Sequence, residues 1–250
     1  TRANSAIVHA GYDPEPGTAM ARLNVRGSAL TKEQCAAFDV KYRQIGSLVL
    51  AFSDEEMATV RRLYENGVAN GVPGVRVLTR EETLAMEPNL SDAVCGALYA
   101  PSAAIVEPWD LALALAEAAV ENGVELHLET AVTGAEKISG GWRLHTAKGD
   151  FEARAVVNAA GVEADLVAAM AGEPGFTTIP SRGEYYLLDK SQGYVVNHVV
   201  FQCPNRDGKG VLVSPTVHYN LIVGPNAEPS GREDVSTQAD ALAFVREKAV

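Results

Sequence analysis

The chain has 250 residues, 47% of them hydrophobic, and carries 21 Lys and Arg against 32 Asp and Glu, a net charge of −11. That length and apolar content bury a sizeable core, in one large domain or two interleaved lobes, while the acidic balance excludes a general nucleic-acid or anionic-membrane surface, which needs clustered Lys and Arg. Cys35, Cys95 and Cys203 lie far apart with no CxxC pair, so neither a disulfide framework nor a zinc site is encoded and a reducing cytoplasm fits; no run approaches the roughly 20 apolar residues of a membrane span, and no signal peptide is visible.

Residues 1–17, TRANSAIVHAGYDPEPG, open the chain without a methionine on a short apolar run that reaches His9 and then a loop rich in Gly and Pro. Residues 41–52 read as a β-rich run. Ser53 with Glu56 three positions on is a capping box, and Met57, Val60, Leu63 and Tyr64 form the apolar stripe of the helix behind it. A second box, Thr79 with Glu82, starts a short helix that Pro88 must stop. Residues 108–121 are rich in Ala and Leu, begin at a proline and end at Asn122-Gly123, a helix with its C-terminal glycine signal.

Beyond it, VELHL at 124–128 alternates as a strand. AVTGAEKI and GWRLHTA are two β runs about a Ser139-Gly140-Gly141 turn, and FEARAVVNAAG ends in an apolar strand before the helix VEADLVAAMAG. From Gly183 onward GEYYLLD, VVNHVVF, GVLVSPTV and NLIVG read as strands separated by polar turns, which favours an antiparallel sheet. Residues 239–250 read as a helix cut in mid-course.

Several residues could carry chemistry. At 158–161, NAAG joins an apolar strand to a helix; small residues there let backbone approach a ligand, and the helix N-terminus favours a phosphate, although packing alone also accounts for such a turn. His9 can share a proton near neutral pH, or it can be an ordinary packed or solvated histidine. Arg182, just before a strand, can grip a carboxylate or phosphate through two parallel hydrogen bonds, or pair with a neighbour such as Glu184. Lys209 has the same two readings, and Val132 offers only backbone groups. The chain has no GxGxxG with its acidic partner, no GxxxxGK, no HExxH and no GxSxG, so kinase, zincin and serine-hydrolase readings lose support.

The stretches NSAIVHAGYDPEPG, SAAIVEPWDLALALAEAAVENGVEL, AVVNAAGVEAD and PSRGEYYLLD, in this order and at these separations, resemble the FAD-dependent oxidoreductases of the D-amino-acid oxidase superfamily. The nearest branch is that of glycerol 3-phosphate dehydrogenases and L-2-hydroxyglutarate oxidases, and the resemblance covers most of the chain. It implies an α/β (α+β) fold in which a truncated, Rossmann-like FAD lobe (residues 1–30 and 101–175) interleaves with a mixed, largely antiparallel-sheet substrate lobe (31–100 and 176–250). The chain is then expected to be an internal fragment beginning just downstream of the family's GxGxxG unit, poor at holding FAD by itself.

The resemblance further implies that Asn4 and Ser5 lie near the FAD, with His9 and Gly11 at the flavin face. Val132 would meet the adenine through its backbone, and Ala159, Ala160 and Gly161 would form a second nucleotide contact. His9 is the expected base and Arg182 the expected anion anchor, with Tyr12 and Lys209 as weaker pocket candidates. The implied reaction oxidises a CH–OH carbon of a small anionic substrate and passes electrons to an unspecified acceptor, with no nucleic acid and no direct membrane insertion. An amine or amino-acid oxidase, and a non-catalytic binding module that kept the fold, are the alternatives.

Overall fold

The computed structural model describes residues 4–173, 175–204 and 210–249. In chain order the elements are β1 (Ile7–Val8), α1 (Ala19–Ala37), β2 (Tyr42–Arg43), β3 (Ser47–Ala51), α2 (Asp54–Ala69), β4 (Arg76–Thr79), α3 (Arg80–Met86), β5 (Gly96–Ala100), β6 (Ala104–Val106) and α4 (Pro108–Glu121). Next come β7 (Val132–Ile138), β8 (Gly141–Thr146), β9 (Gly149–Ala153), α5 (Ala164–Met170), β10 (Ser181–Arg182), β11 (Tyr186–Leu188), β12 (Val199–Gln202), β13 (Leu212–Pro215), β14 (Leu221–Gly224), β15 (Glu228–Pro229) and α6 (Ala239–Lys248). No helix among the described residues is long and apolar enough to cross a membrane.

Local chemistry explains most of the helix starts. The Ser53 hydroxyl accepts from Glu56 N–H at 3.2 Å, and the Glu56 carboxylate reaches back to Phe52 N–H at 2.6 Å, so three acidic residues crowd the positive end of α2. Thr79 and Glu82 form the full reciprocal box at α3. Helix α1 is the element that the apolar pattern does not announce: Thr18 caps it, but only Ala21 and Cys35 are fully buried, so it has no broad apolar stripe to read.

Two compact units divide the chain. The first comprises 1–119, 183–226 and 237–250, the second 120–182 and 227–236. These units are defined by compactness, whereas the lobes expected from the sequence are defined by the ligand each would face, and the two partitions differ.

In the first unit a seven-stranded sheet runs β11-β14-β13-β12-β3-β5-β4, every pair antiparallel except β12 with β3. One core cluster joins Leu48, Leu50, Leu78, Val200, Leu221 and Val245 of α6; another joins Val49, Val60, Leu63, Leu98 and Ala100 beneath α2. A small sheet, β1-β6-β2, lies in the same unit. The run VVNHVVF becomes a strand only from Val199, because Asn197 and His198 turn their N–H groups to the Glu87 carboxylate, both at 2.7 Å. Glu87 is fully buried, and the His198 ring Nδ1 stands 2.6 Å from the same oxygen.

In the second unit β7, β8 and β9 form the expected meander, closed by ion pairs from Arg143 to Glu136 and Glu152. Two expected strands are corrected. Residues 124–128 and 155–157 join no sheet and are not strands among the described residues, although Val124, Leu126, Leu128 and Val157 stay exposed, Val157 at 88%. Alternation and β-branching make a segment fit a pleated surface, but a strand exists only when a neighbour takes its N–H and C=O groups. Asp165 ties this unit together: its carboxylate accepts from Leu166 N–H and Thr178 N–H, each at 2.9 Å, and from both guanidinium nitrogens of Arg232 at 2.9 and 2.5 Å.

Two outcomes follow. Glu87→Ala removes the buried acceptor that holds the Asn197 and His198 N–H groups and lowers unfolding free energy by about 1–3 kcal/mol, read as a fall in the urea midpoint. Asp165, held down to about 2 from 3.8 chiefly by its Arg232 hydrogen bond, contributes stability that is present above pH 3.8 and is lost as pH falls toward 2. The loss of stability across that acid window is therefore shallower in Arg232→Ala than in the parent protein; an equal slope in the two would remove this assignment.

Candidate functional site

In the first unit His9 leaves β1 with buried Val8 and Ala10 on either side, so strand alternation turns its ring outward. β1 is held by pairing with β6, Ile7 opposite Ile105 and Val8 opposite Ala104. The Asn4 side chain accepts from Ala6 N–H at 2.7 Å, across the positive-φ residue Ala6, and half-buried Ser5 lies between them. The His9 ring stacks on Phe201 of β12, centroids 5.7 Å apart and planes 26° from parallel. His9 is thus an exposed imidazole with its plane set by a neighbouring ring.

Gly11 and Tyr12 serve the turn that follows. At Gly11 φ is +106°, and a Cβ would sit 2.6 Å from Val25 of α1, so only glycine lets the chain pass that helix. Asn70 donates to the Gly11 and Pro14 carbonyls at 2.9 and 2.8 Å and pins the loop. Tyr12 is buried in the core cluster under α2; burial pushes its phenol pKa up, partly offset by a hydrogen bond with Ser47. The structure therefore places Tyr12 as a neutral core phenol. Lys209 lies outside the described residues.

The second unit holds the other expected contacts. Val132 opens β7 opposite Thr146, beside a bulge that precedes Gly134. Ala159, Ala160 and Gly161 form an exposed turn before α5, stapled by Asn158, whose side chain accepts from Ala160 N–H at 3.3 Å and donates to the Ala164 carbonyl at 2.7 Å. Gly161 adopts φ +60°, with nothing within 4 Å of the place a Cβ would occupy. Small side chains, exposed backbone and that open space fit the close approach of a nucleotide.

Arg182 sits on β10, which pairs with β15, and its guanidinium is mostly buried. It donates to Asp234 and lies 3.9 Å from Glu228. Two carboxylates, Asp234 and Glu228, and the Ser236 hydroxyl thus lie against it.

Sequence order brings Asn4, Ser5, His9 and Gly11 together, and Ala159, Ala160 and Gly161 together, in different units. The residue that sequence reasoning misses is Phe201: it comes from the far end of the chain, and nothing in VVNHVVF marks one aromatic as a platform for a histidine.

Comparison with known proteins supplies the family. Residues 1–250 match the family model described as DAO, FAD dependent oxidoreductase. A glycerol 3-phosphate dehydrogenase from Caloramator mitchellensis is 48% identical over 250 residues, all of this chain and 52% of that protein. The L-2-hydroxyglutarate dehydrogenase of Escherichia coli strain K12 is 32% identical over 228 residues, 90% of this chain and 53% of its own length. Among solved structures, dithionite-reduced L-alpha-glycerophosphate oxidase from Mycoplasma pneumoniae with FAD bound superposes with a TM-score of 0.89 at 28% identity, covering 99% of this chain and 67% of that one. The chain spans about half the length of these curated relatives. Matched from its first residue to its last by a model of flavin-dependent enzymes, and folded like one of them solved with FAD in place, the chain belongs to the DAO family of FAD-dependent oxidoreductases.

Proposed function

We propose that this chain serves the FAD-dependent oxidation of a CH–OH group in a small anionic substrate, glycerol 3-phosphate or a 2-hydroxyacid. The observation that carries this reading is the exposed His9 imidazole, aligned on Phe201, in a chain whose 48% identical relative is a glycerol 3-phosphate dehydrogenase. The carbinol carbon must lose a hydride and its hydroxyl a proton. Bound FAD supplies the two-electron acceptor for that hydride.

The remaining work falls to residues of this chain. His9 accepts the hydroxyl proton on a ring nitrogen, with Phe201 fixing the plane of the ring. In its own unit, the 159–161 backbone meets the nucleotide through N–H groups with no side chain in the way, and Val132 offers strand backbone to the adenine edge. Asn4 and Ser5 shape the approach to the flavin, and the pinned Gly11 turn keeps His9 in place. Arg182 is the anion anchor of this reading. Because Asp234 and Glu228 already hold it, a substrate anion must displace a carboxylate to reach it. Lys209 is a pocket candidate of lesser weight, and Tyr12, buried in the core beside Ser47, is the weakest.

The test uses the natural full-length protein, held anaerobically, with the flavin absorbance followed as sn-glycerol 3-phosphate and then L-2-hydroxyglutarate are added. Bleaching by one of them supports this reading and fixes the substrate branch; reduction only by an amine or amino acid moves the reading to C–N oxidation; a protein that binds no flavin is the binding module. His9→Ala is expected to slow flavin reduction by about 10²- to 10⁴-fold with the flavin still bound, and an unchanged rate removes His9 as the base. Arg182→Ala is expected to raise KM with little change in kcat, and an unchanged KM leaves Arg182 a scaffold residue.

A further inference from the structure

The first unit contains a cleft of about 450 Å³ that none of the expected site residues lines; its walls are Lys41, Tyr42, Arg43, Lys190, Val217, His218 and Tyr219. Its size lies within the range of small-molecule sites. Four of its seven residues are basic in a chain of net charge −11. Several arginines elsewhere are matched: Arg76 pairs with Glu82, Arg80 with Asp92, Arg143 with Glu136 and Glu152, Arg232 with Asp165. Among the described residues Lys41, Arg43 and Lys190 form no such ion pair. The carboxylate beside Lys190 in sequence, Asp189, is turned to Ser191 N–H at 2.9 Å.

The cleft is built rather than incidental. Glu107 is buried and stands 2.5 Å from His218 Nε2, which fixes the imidazole and leaves Nδ1 3.5 Å from the Lys41 ammonium. The hairpin between β13 and β14 is tied by Thr216, whose hydroxyl accepts from His218 N–H at 3.2 Å and Asn220 N–H at 3.1 Å. At its tip Tyr219 holds φ +68°, an uncommon value for a bulky residue. Strain of this kind persists only where the surroundings enforce it, and it clusters at functional sites. The Tyr219 ring stacks on Tyr194 at 5.6 Å and lies 4.8 Å from the Arg43 guanidinium carbon. Packing thus stiffens the guanidinium, so that little side-chain freedom is lost when an anion binds.

We propose that this cleft is a binding site for a phosphate-bearing small molecule, separate from the His9 site. Arg43 presents a planar fork and Lys41 and Lys190 compact point charges to the phosphate oxygens, while Tyr42, Val217 and the Tyr219 ring wall the rest of the ligand. A phosphate dianion placed among Lys41, Arg43 and Lys190 meets cations that no carboxylate holds in an ion pair, unlike Arg182, while His218 stays bound to Glu107.

The experiment titrates inorganic phosphate into the full-length protein labelled with 13C-histidine, following the His218 ring resonances, assigned by their disappearance in His218→Gln. Chloride at matched ionic strength is the control. The proposal expects a saturable shift with phosphate and not with chloride, weakened at least tenfold in the double variant Arg43→Gln, Lys190→Gln, whose flavin reduction by substrate and circular dichroism remain as in the parent. An equal shift with chloride, an unchanged titration in the double variant, or no shift at all would each overturn it. A response confined to the His9 resonances would place phosphate at the substrate site and likewise count against this cleft.

Discussion

Strand β12 lies parallel to β3 although some 150 residues separate them, and no short turn can set the register of such a pair. The buried Glu87 carboxylate does so. It ends α3, and by accepting from Asn197 and His198 it fixes where β12 begins. From that point Val199 falls opposite Ser47 and Phe201 opposite Val49. A slip of one residue would turn Phe201 to the other face of the sheet, and the His9 ring would lose its platform. One interior charge, satisfied by backbone donors and a histidine, therefore connects the end of a short helix to the orientation of the proposed base. An apolar residue at Glu87 could fill the space but could not hold two amides, which is why the position takes a carboxylate despite its desolvation cost.

Local signals and pairing signals were legible to different degrees. The boxes at Ser53 and Thr79 are stated within four residues each, and the structure shows both caps. Residues 132–153 declare their meander through turn glycines and alternation. Helix α1 stays hidden because most of its residues face outward and leave no stripe. Segments 124–128 and 155–157 carry the apolar pattern of strands and yet have no partner strand among the described residues, since pairing is a property of two segments and a pattern belongs to one.

The same distinction governs the candidate site. The neighbours of His9 are read from consecutive residues, and so is the small-residue turn at 159–161. What orients His9 is Phe201; what holds Arg182 is Asp234 with Glu228; what fixes His218 is Glu107. Each of these relations joins distant positions that carry no local mark. Residue type suggested what a side chain could do, whereas only the fold shows whether its partners leave it free to do so. Tyr12 illustrates the point, an apparent pocket phenol whose hydroxyl meets Ser47 inside the core.

Charge placement separates scaffold from ligand-ready surface. In the second unit Arg143, Arg182 and Arg232 are each matched by at least one carboxylate, and Asp165 with Arg232 is a bidentate pair backed by two amides. A ligand anion reaching such an arginine gains only the difference between two similar interactions, and it leaves a displaced carboxylate to be resolvated. At the cleft of Lys41, Arg43 and Lys190 that exchange term is missing, and the cations are held by a histidine, a carbonyl and an aromatic ring that a phosphate need not displace. In a chain whose overall field repels anions, affinity for one must come from a local surplus of this kind, because the long-range field is screened within about 8–10 Å at physiological salt while contacts inside a cleft are not.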